Sequence, residues 1–259
     1  MPDLRECDIH YNPQNIIDPT IDFIKFAELI KYKTPFSYLR YGDGEFRAIL
    51  EYPGKNCDEH EYFTRMGKRL FDELVYIKTS SMIEKINIYV GLHGTWHQKE
   101  IQTLLFENNM VNTIHWVSML ITRFALEDLT LIPFLEEIKK TETPLVFIGN
   151  ESHNVIAEAL LCSSFIEIPY INAYLEIDNV INICKNLPGF FDIQMIFIAC
   201  AGMPTEILLG TLRRLNNNHV YIDCGAVFDS IVGRKTRGYM RTDKNDELIK
   251  NVYLPLFNL

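Results

Sequence analysis

The sequence is short of what several large functional classes require. It has no surplus of positive charge: 25 Lys+Arg stand against 34 Asp+Glu, a net charge of −9 in 259 residues. Nucleic-acid binding rests on a cationic surface that neutralises phosphates, so the balance argues against that class. No apolar run approaches the roughly 18–20 residues that a membrane helix needs, and the opening MPDLRECDIHYNPQ has no basic-then-apolar leader pattern. We therefore expect a protein of the cytoplasm. With 13 Gly and 11 Pro against 47% hydrophobic residues, the composition is neither disordered nor fibrous. The six cysteines, Cys7, Cys57, Cys162, Cys184, Cys200 and Cys224, form no C-x-x-C pair and read as reduced core or surface thiols rather than disulfides or a zinc site.

Several catalytic signatures are missing too. There is no G-x-x-x-x-G-K-[ST], which argues against P-loop hydrolysis, and no G-x-G-x-x-G, which lowers the case for a nicotinamide or flavin enzyme. The absence of G-x-S-x-G leaves a nucleophile-elbow hydrolase without support. His93 and His97 lie four apart but lack the Glu of H-E-x-x-H, and we read them as scattered polar residues, with His93 in reach of a ligand because it follows a strand.

What is present is a repeating alternation of short apolar, β-rich runs and helical stretches. Strands are expected at Phe36–Arg40, Ile86–Gly91, Thr113–Val117, Leu145–Gly149, Phe165–Pro169, Met195–Cys200 and His219–Asp223. Several are almost continuously apolar, as strands covered on both faces of a parallel sheet must be. Between them run stripes at helical spacing: Phe23/Phe26/Ala27/Ile30 behind Asp18-Pro19, Phe63/Met66/Leu70/Leu74, Val155/Ile156/Ala159/Leu160 and Ile207/Leu208/Leu212/Leu215. No linker or repeat divides the chain. The expected architecture is one α/β domain over residues 1–259: a single Rossmann-like unit with a mostly parallel sheet flanked by helices, a core at about 20–240, and terminal extensions packed on it or on a partner.

Ligands of such sheets bind beyond the carboxyl ends of the strands, and here those positions are unusually polar. The first strand runs into Arg40-Tyr41-Gly42-Asp43-Gly44-Glu45-Phe46. Two carboxylates one glycine apart can share a hard cation; an Asp-Gly turn with a capping Glu explains them as readily. The fourth strand ends at Gly149-Asn150-Glu151-Ser152-His153-Asn154 and the fifth at Pro169-Tyr170-Ile171-Asn172-Ala173-Tyr174, where a base or sugar fits as well as plain turn formation. Ala201-Gly202-Met203-Pro204-Thr205 opens a helix whose free N–H groups suit an anion, or simply turns the chain. The stretch from Arg213 to Lys244 carries seven Lys+Arg and three Asp, a patch suited to phosphates or to solvent.

The block Phe36-Ser37-Tyr38-Leu39-Arg40-Tyr41-Gly42-Asp43-Gly44-Glu45-Phe46, taken with Gly202-x-Pro204-Thr205, Asp223-x-Gly225-Ala226-x-x-Asp229 and Arg237, resembles the GT-D-fold glycosyltransferases over residues 20–240. Either half of the pattern alone is weak; together they are more specific. The resemblance implies a GT-D type domain that moves a sugar, hexosyl or pentosyl, from a nucleotide-diphosphate sugar, foremost a UDP-sugar, to a hydroxyl of a glycan or glycoconjugate. It implies Mn²⁺, or Mg²⁺, held through a D-x-E motif at Asp43 and Glu45. Donor contacts carried over are Arg40, Gly42, Asn150, Asn172, Gly202, Thr205, Asp223 and Arg237, with Arg234 and Lys235 near the leaving group. His153 and Asp229 are the candidates for catalytic base, since each follows a strand on the binding edge. A metal between carboxylates and diphosphate neutralises both the bound donor and the departing nucleotide. Two other readings remain open: an S-adenosylmethionine methyltransferase, which uses a similar sheet, and a non-catalytic sugar-nucleotide-binding module.

Overall fold

The computed structural model describes residues 16–56, 59–80, 87–93 and 98–259. Its centre is a seven-stranded sheet of order β3-β2-β1-β7-β6-β4-β5, built from β1 (Phe36–Tyr41), β2 (Ile88–Leu92), β3 (Trp116–Ser118), β4 (Leu145–Gly149), β5 (Ser164–Glu167), β6 (Ile196–Ala199) and β7 (Val220–Asp223). Every pairing is parallel, with Tyr38 opposite Tyr89 and Ile222, and Phe147 opposite Ile198 and Phe165. All seven expected strands form, and the sheet is wholly parallel rather than mostly so among the described residues. The chain is a single α/β domain.

Strand ends differ from expectation where a turn competes. Thr113 and Ile114 bond back to the Met110 carbonyl at 3.4 and 3.2 Å, and the Trp116 indole N–H does so at 3.1 Å, so β3 starts only at Trp116. Ile86 lies outside the described residues, as do His97, Cys7, Cys57 and the first 15 residues of the expected N-terminal extension.

The sheet separates two hydrophobic clusters, because alternate residues of each strand face opposite sides. On one side Leu39, Tyr41, Phe197 and Tyr221 meet α2 (Asp43–Ile49), α3 (Thr64–Thr79), α4 (Lys99–Glu107), α8 (Ile177–Lys185) and α9 (Thr205–Leu215). On the other, Phe36, Tyr38, Phe147 and Ile222 meet α1 (Phe23–Lys31), α5 (Ile121–Glu127), α6 (Leu131–Lys140) and α7 (Asn154–Ala159). The α1 stripe packs as its spacing predicts, with Phe26 stacked on Phe36 and Phe23 meeting Phe134 edge-on, but the helix begins later than Asp18-Pro19 suggests: Asp22 is its cap, accepting from Lys25 N at 2.8 Å, while Asp18 accepts from Thr20 and pairs with His115. The α7 and α9 stripes are each one residue too wide. Val155, in the first turn of α7, is 40% exposed, and Leu215, the last residue of α9, 44%.

The C-terminal extension packs on the second cluster. It contains α10 (Asp243–Leu248) and α11 (Leu254–Phe257); Phe257 is buried near Phe228, and the Tyr253 hydroxyl donates to the Leu126 carbonyl at 2.9 Å. Cys162, Cys184, Cys200 and Cys224 are free thiols, and no described helix is long and apolar enough to cross a membrane.

This winding fixes where a ligand can enter. The chain leaves β1 toward α2 and α3, whereas after the adjacent β7 it turns to the opposite face, where Val227, Phe228 and Ile231 join the second cluster. Neighbouring strands whose connections diverge leave a crevice at their carboxyl ends.

Candidate functional site

That crevice is occupied by a cavity. It is lined from the β1 end by Arg40, Gly42, Asp43, Gly44 and Glu45, from the β4 and β5 ends by Asn150, Pro169 and Tyr170, and from the β6 end by Cys200, Ala201, Gly202 and Met203. Gly225, Ala226, Asp229 and Arg237 close it from the β7 side, while Asn56, His60 and Met119 complete the wall. The structure therefore brings together Arg40, Gly42, Asp43, Glu45, Asn150, Gly202, Asp229 and Arg237 from distant parts of the chain.

Four expected site residues stand behind the wall instead. Asp223 is 2% exposed, accepting from Arg40 Nε at 2.7 Å and from Gly225 N at 2.7 Å, so it holds the arginine rather than facing the cavity. Thr205 is fully buried: its hydroxyl donates to the Gly202 carbonyl at 2.6 Å and accepts from Ala201 N at 3.3 Å, stiffening the turn ahead of α9. Asn172 adopts a left-handed conformation (φ 55°), accepts from Glu61 N and donates its own N–H to His60 Nδ1. It acts on the cavity by placing His60. His153 is 1% exposed and bonds through Nε2 to Asp229 Oδ1 at 3.0 Å.

The D-x-E turn shows how the local sequence folds. Gly42 is the N-cap of α2, and Glu45, at the third helical position, reaches back to accept from Gly42 N at 2.7 Å. The capping role foreseen for Glu45 is thus real. Asp43, in the same first turn, is exposed. Both negative charges sit where the helix dipole favours them. Gly44 packs against Met203, so a Cβ there would come within 3.1 Å of its sulfur and the Met203 side chain would have to shift.

Beneath the cavity floor lies a dense charge cluster. Arg40 donates from Nε to Asp223, from Nη1 to Thr122 Oγ1 at 3.1 Å, and from its backbone N–H to Glu206 Oε1 at 3.2 Å. Burial works against the Arg40 charge, but Asp223, Tyr38 and Glu206 together outweigh it and the guanidinium holds its proton more tightly than usual. Burial also pushes the Glu45 carboxyl up to about 7, against the pull of backbone N–H groups and Arg40. Glu206, 1% exposed with Oε2 lacking a hydrogen-bond partner, is driven well above the carboxylate range by burial and then by the charges of Asp223 and Glu45. Gly225 (φ 52°) makes this packing feasible, because a Cβ there would run into the Arg40 guanidinium.

Sequence reasoning missed His60, Asn56, Met119 and Glu206. The first two sit on the α2–α3 connection, which follows no strand end, and Met119 follows β3 but carries no polar signal. Glu206 was hidden in the α9 stripe. On the opposite rim Arg234 stacks on Tyr170, its guanidinium 3.5 Å from the ring centre, and donates to Asn150 Oδ1 at 3.2 Å.

The chemistry on offer is recognition of a polyanion. Arg40, Arg237 and the Gly202 turn line one space, and Asp43, Glu45 and Asp229 line the same space. Among the described residues no three His, Cys, Asp or Glu side chains form a group able to hold a metal by themselves. Two carboxylates fit a hard divalent ion that takes its remaining ligands from phosphate oxygens and water, as Mg²⁺ sites with phosphorylated substrates do.

No family model matches the chain, and no curated protein matches it. Solved structures do. A selenomethionine-substituted structure of domain of unknown function 1792 (DUF1792) aligns over 82% of this chain and 79% of its own, at 18% identity and a TM-score of 0.54. "A New Glycosyltransferase (DUF1792) from Streptococcus sanguinis" aligns over 80% and 81%, at 14% identity and a TM-score of 0.54. A third, described as "The highly conserved domain of unknown function 1792 has a distinct glycosyltransferase fold", aligns over 88% of this chain and 90% of its own, at 16% identity and a TM-score of 0.55. The chain thus has the fold described there as a distinct glycosyltransferase fold.

Proposed function

We propose that this chain is a glycosyltransferase that takes a sugar from a nucleotide-diphosphate sugar, foremost a UDP-sugar, and moves it to a hydroxyl of a glycan or glycoconjugate acceptor. The observation that carries the reading is the convergence of Arg40, the Gly42–Glu45 turn, the Gly202 turn, Asp229 and Arg237 on one cavity, in a fold shared with structures described as glycosyltransferases. Cationic side chains and N–H groups suit a diphosphate. Paired arginines beside the three carboxylates Asp43, Glu45 and Asp229 match a diphosphate with a divalent ion better than a lone cationic sulfonium, which weakens the methyltransferase reading.

Transfer breaks the bond between the anomeric carbon and the diphosphate oxygen and forms a bond to the acceptor oxygen, which must lose a proton. In our reading Arg40 and Arg237 face the diphosphate, and Asp229, whose carboxylate reaches the cavity, accepts the acceptor proton. Asp43 and Glu45 would hold Mn²⁺ or Mg²⁺, which when bound offsets charge on the departing diphosphate. Glu45 gains a second counter-charge, besides Arg40, in that arrangement, which would offset the burial that raises its carboxyl toward neutrality. The acceptor and the compartment, expected to be the cytoplasm, remain part of the proposal.

The test is release of nucleoside diphosphate from a panel of nucleotide sugars with Mn²⁺. Asp43→Ala and Glu45→Ala are expected to weaken metal-dependent donor binding and turnover, and Asp229→Asn to abolish transfer while donor binding stays nearly intact. Turnover equal to the parent in both Asp43→Ala and Glu45→Ala would remove the metal assignment. Donor binding with no turnover for any acceptor or water would leave a binding module.

A further inference from the structure

Behind the cavity a line of hydrogen bonds joins the loops that follow β4 and β7. Asn150 Oδ1 accepts from Ser152 N at 3.1 Å, Ser152 Oγ at 2.5 Å and Arg234 Nη1 at 3.2 Å. Three donors on the oxygen fix the orientation of the amide, so its NH₂ points at His153 Nδ1, 3.3 Å away. Nδ1 is then an acceptor, and the ring hydrogen lies on Nε2, facing Asp229 Oδ1 at 3.0 Å. From the other side Thr236 Oγ1 donates to Asp229 Oδ2 at 2.6 Å.

Asp229 therefore takes one hydrogen bond on each oxygen, from two separate parts of the fold. The His153 ring has no route to a ligand of its own. It is buried against Phe147, and Gly149 is bare beside it, since a Cβ there would come within 2.7 Å of Nδ1. Whatever His153 contributes passes through Asp229. Thr236 lies on the segment that also carries Arg234, stacked on Tyr170, and Arg237, on the cavity wall.

We infer that His153 and Thr236 are positioning residues that clamp the Asp229 carboxylate from its two sides, so that its remaining lone pairs face the cavity, and that Thr236 ties this orientation to the seating of the arginine-bearing segment. The inference rests on the reading of Asp229 as proton acceptor. A diphosphate held by Arg237 keeps Thr236 in place, and with it the carboxylate, so donor binding and base alignment become one event. Misplacing a catalytic group by about 1 Å costs on the order of 10²-fold in rate.

Steady-state kinetics and donor-induced thermal shifts on six variants of the full chain test this. His153→Phe and Thr236→Val are expected to lower kcat roughly 10- to 100-fold, with donor KM and donor shift unchanged in His153→Phe and the donor shift reduced in Thr236→Val, because coupling between donor seating and the carboxylate is reciprocal. His153→Gln, whose amide N–H₂ reaches the Nε2 position, and Thr236→Ser, which keeps the hydroxyl, are expected to restore most of kcat. Combining His153→Phe with Thr236→Val should cost less than the product of the two losses, because both act on one carboxylate. If Asp229→Asn abolishes kcat while Thr236→Val and His153→Phe retain it, the clamp is wrong and the reading of Asp229 stands. Failure of both conservative variants to restore kcat, in chains that unfold like the parent, also overturns it. If Asp229→Asn itself keeps full kcat, the proton-acceptor reading fails.

Discussion

Replacing Arg40 by Met should be the most damaging single change that leaves the hydrophobic clusters untouched. The guanidinium is the cation to which Asp223 is paired at 2.7 Å, and the side chains are 15% and 2% exposed. Glu206 and Glu45 crowd the same spot. Removing one partner of a buried pair costs about 3–5 kcal/mol, because the other charge is left uncompensated. For a chain of this size that corresponds to a fall in Tm of roughly 6–20 °C. The loss should also depend on pH in a defined direction. Glu45, raised to about 7 from 4.5, binds a proton in the folded chain that it lacks when unfolded. Its stabilising contribution is complete below 4.5 and disappears as pH rises through 7. Arg40 pulls that value down, so without it the penalty above neutrality grows. Urea unfolding followed by circular dichroism, at pH 5 and pH 8, should give a smaller deficit for Arg40→Met at pH 5. A deficit below about 1 kcal/mol, or one equal at both pH values, would refute the description of this cluster.

Other expectations separate fold from site. Asp43→Ala, at an exposed position, should leave unfolding within about 0.5 kcal/mol of the parent, whereas Glu45→Ala removes the bond to Gly42 N and should cost about 1 kcal/mol; denaturant titration without ligand distinguishes them. Gly67→Ala should destabilise by about 1–3 kcal/mol or more, because a Cβ at Gly67 runs into the Ala48 carbonyl where α3 crosses α2. The same change displaces the helix that carries Asp43 and Glu45, so the donor-induced thermal shift should shrink with the Tm.

The sheet was legible because each strand is a short, nearly unbroken apolar run, and a run such as Leu145–Gly149 has few other ways to be buried on both faces. Strand ends were less so, since the turn at Met110–Ile114 competes through hydrogen bonds that no propensity encodes. Asn150, Gly202 and Asp229 could be picked out because the residues lining such a cavity follow strands, whereas Arg237 came only with the family resemblance. His60 could not, as the left-handed Asn172 fixes its position from over a hundred residues away. Nor does spacing distinguish a residue on the wall from one behind it: Asp223, Thr205 and His153 follow strands just as Asp229 does, yet each turns to another side chain or to the backbone. The two readings of the Asp43-Gly44-Glu45 turn were never exclusive, because Glu45 caps its helix and still flanks the cavity.

In our proposal the cavity at the carboxyl ends of β1 and β7 takes a nucleotide-diphosphate sugar. The most direct test of this is a thermal-shift panel of UDP-, GDP- and CMP-sugars and S-adenosylmethionine, each with Mn²⁺ and with EDTA, because a ligand bound only by the folded state raises apparent stability. We predict a rise with one nucleotide-diphosphate sugar in Mn²⁺ that collapses in EDTA and in Asp43→Ala. A rise with S-adenosylmethionine alone, indifferent to EDTA, would overturn the assignment of this cavity to a nucleotide-diphosphate sugar.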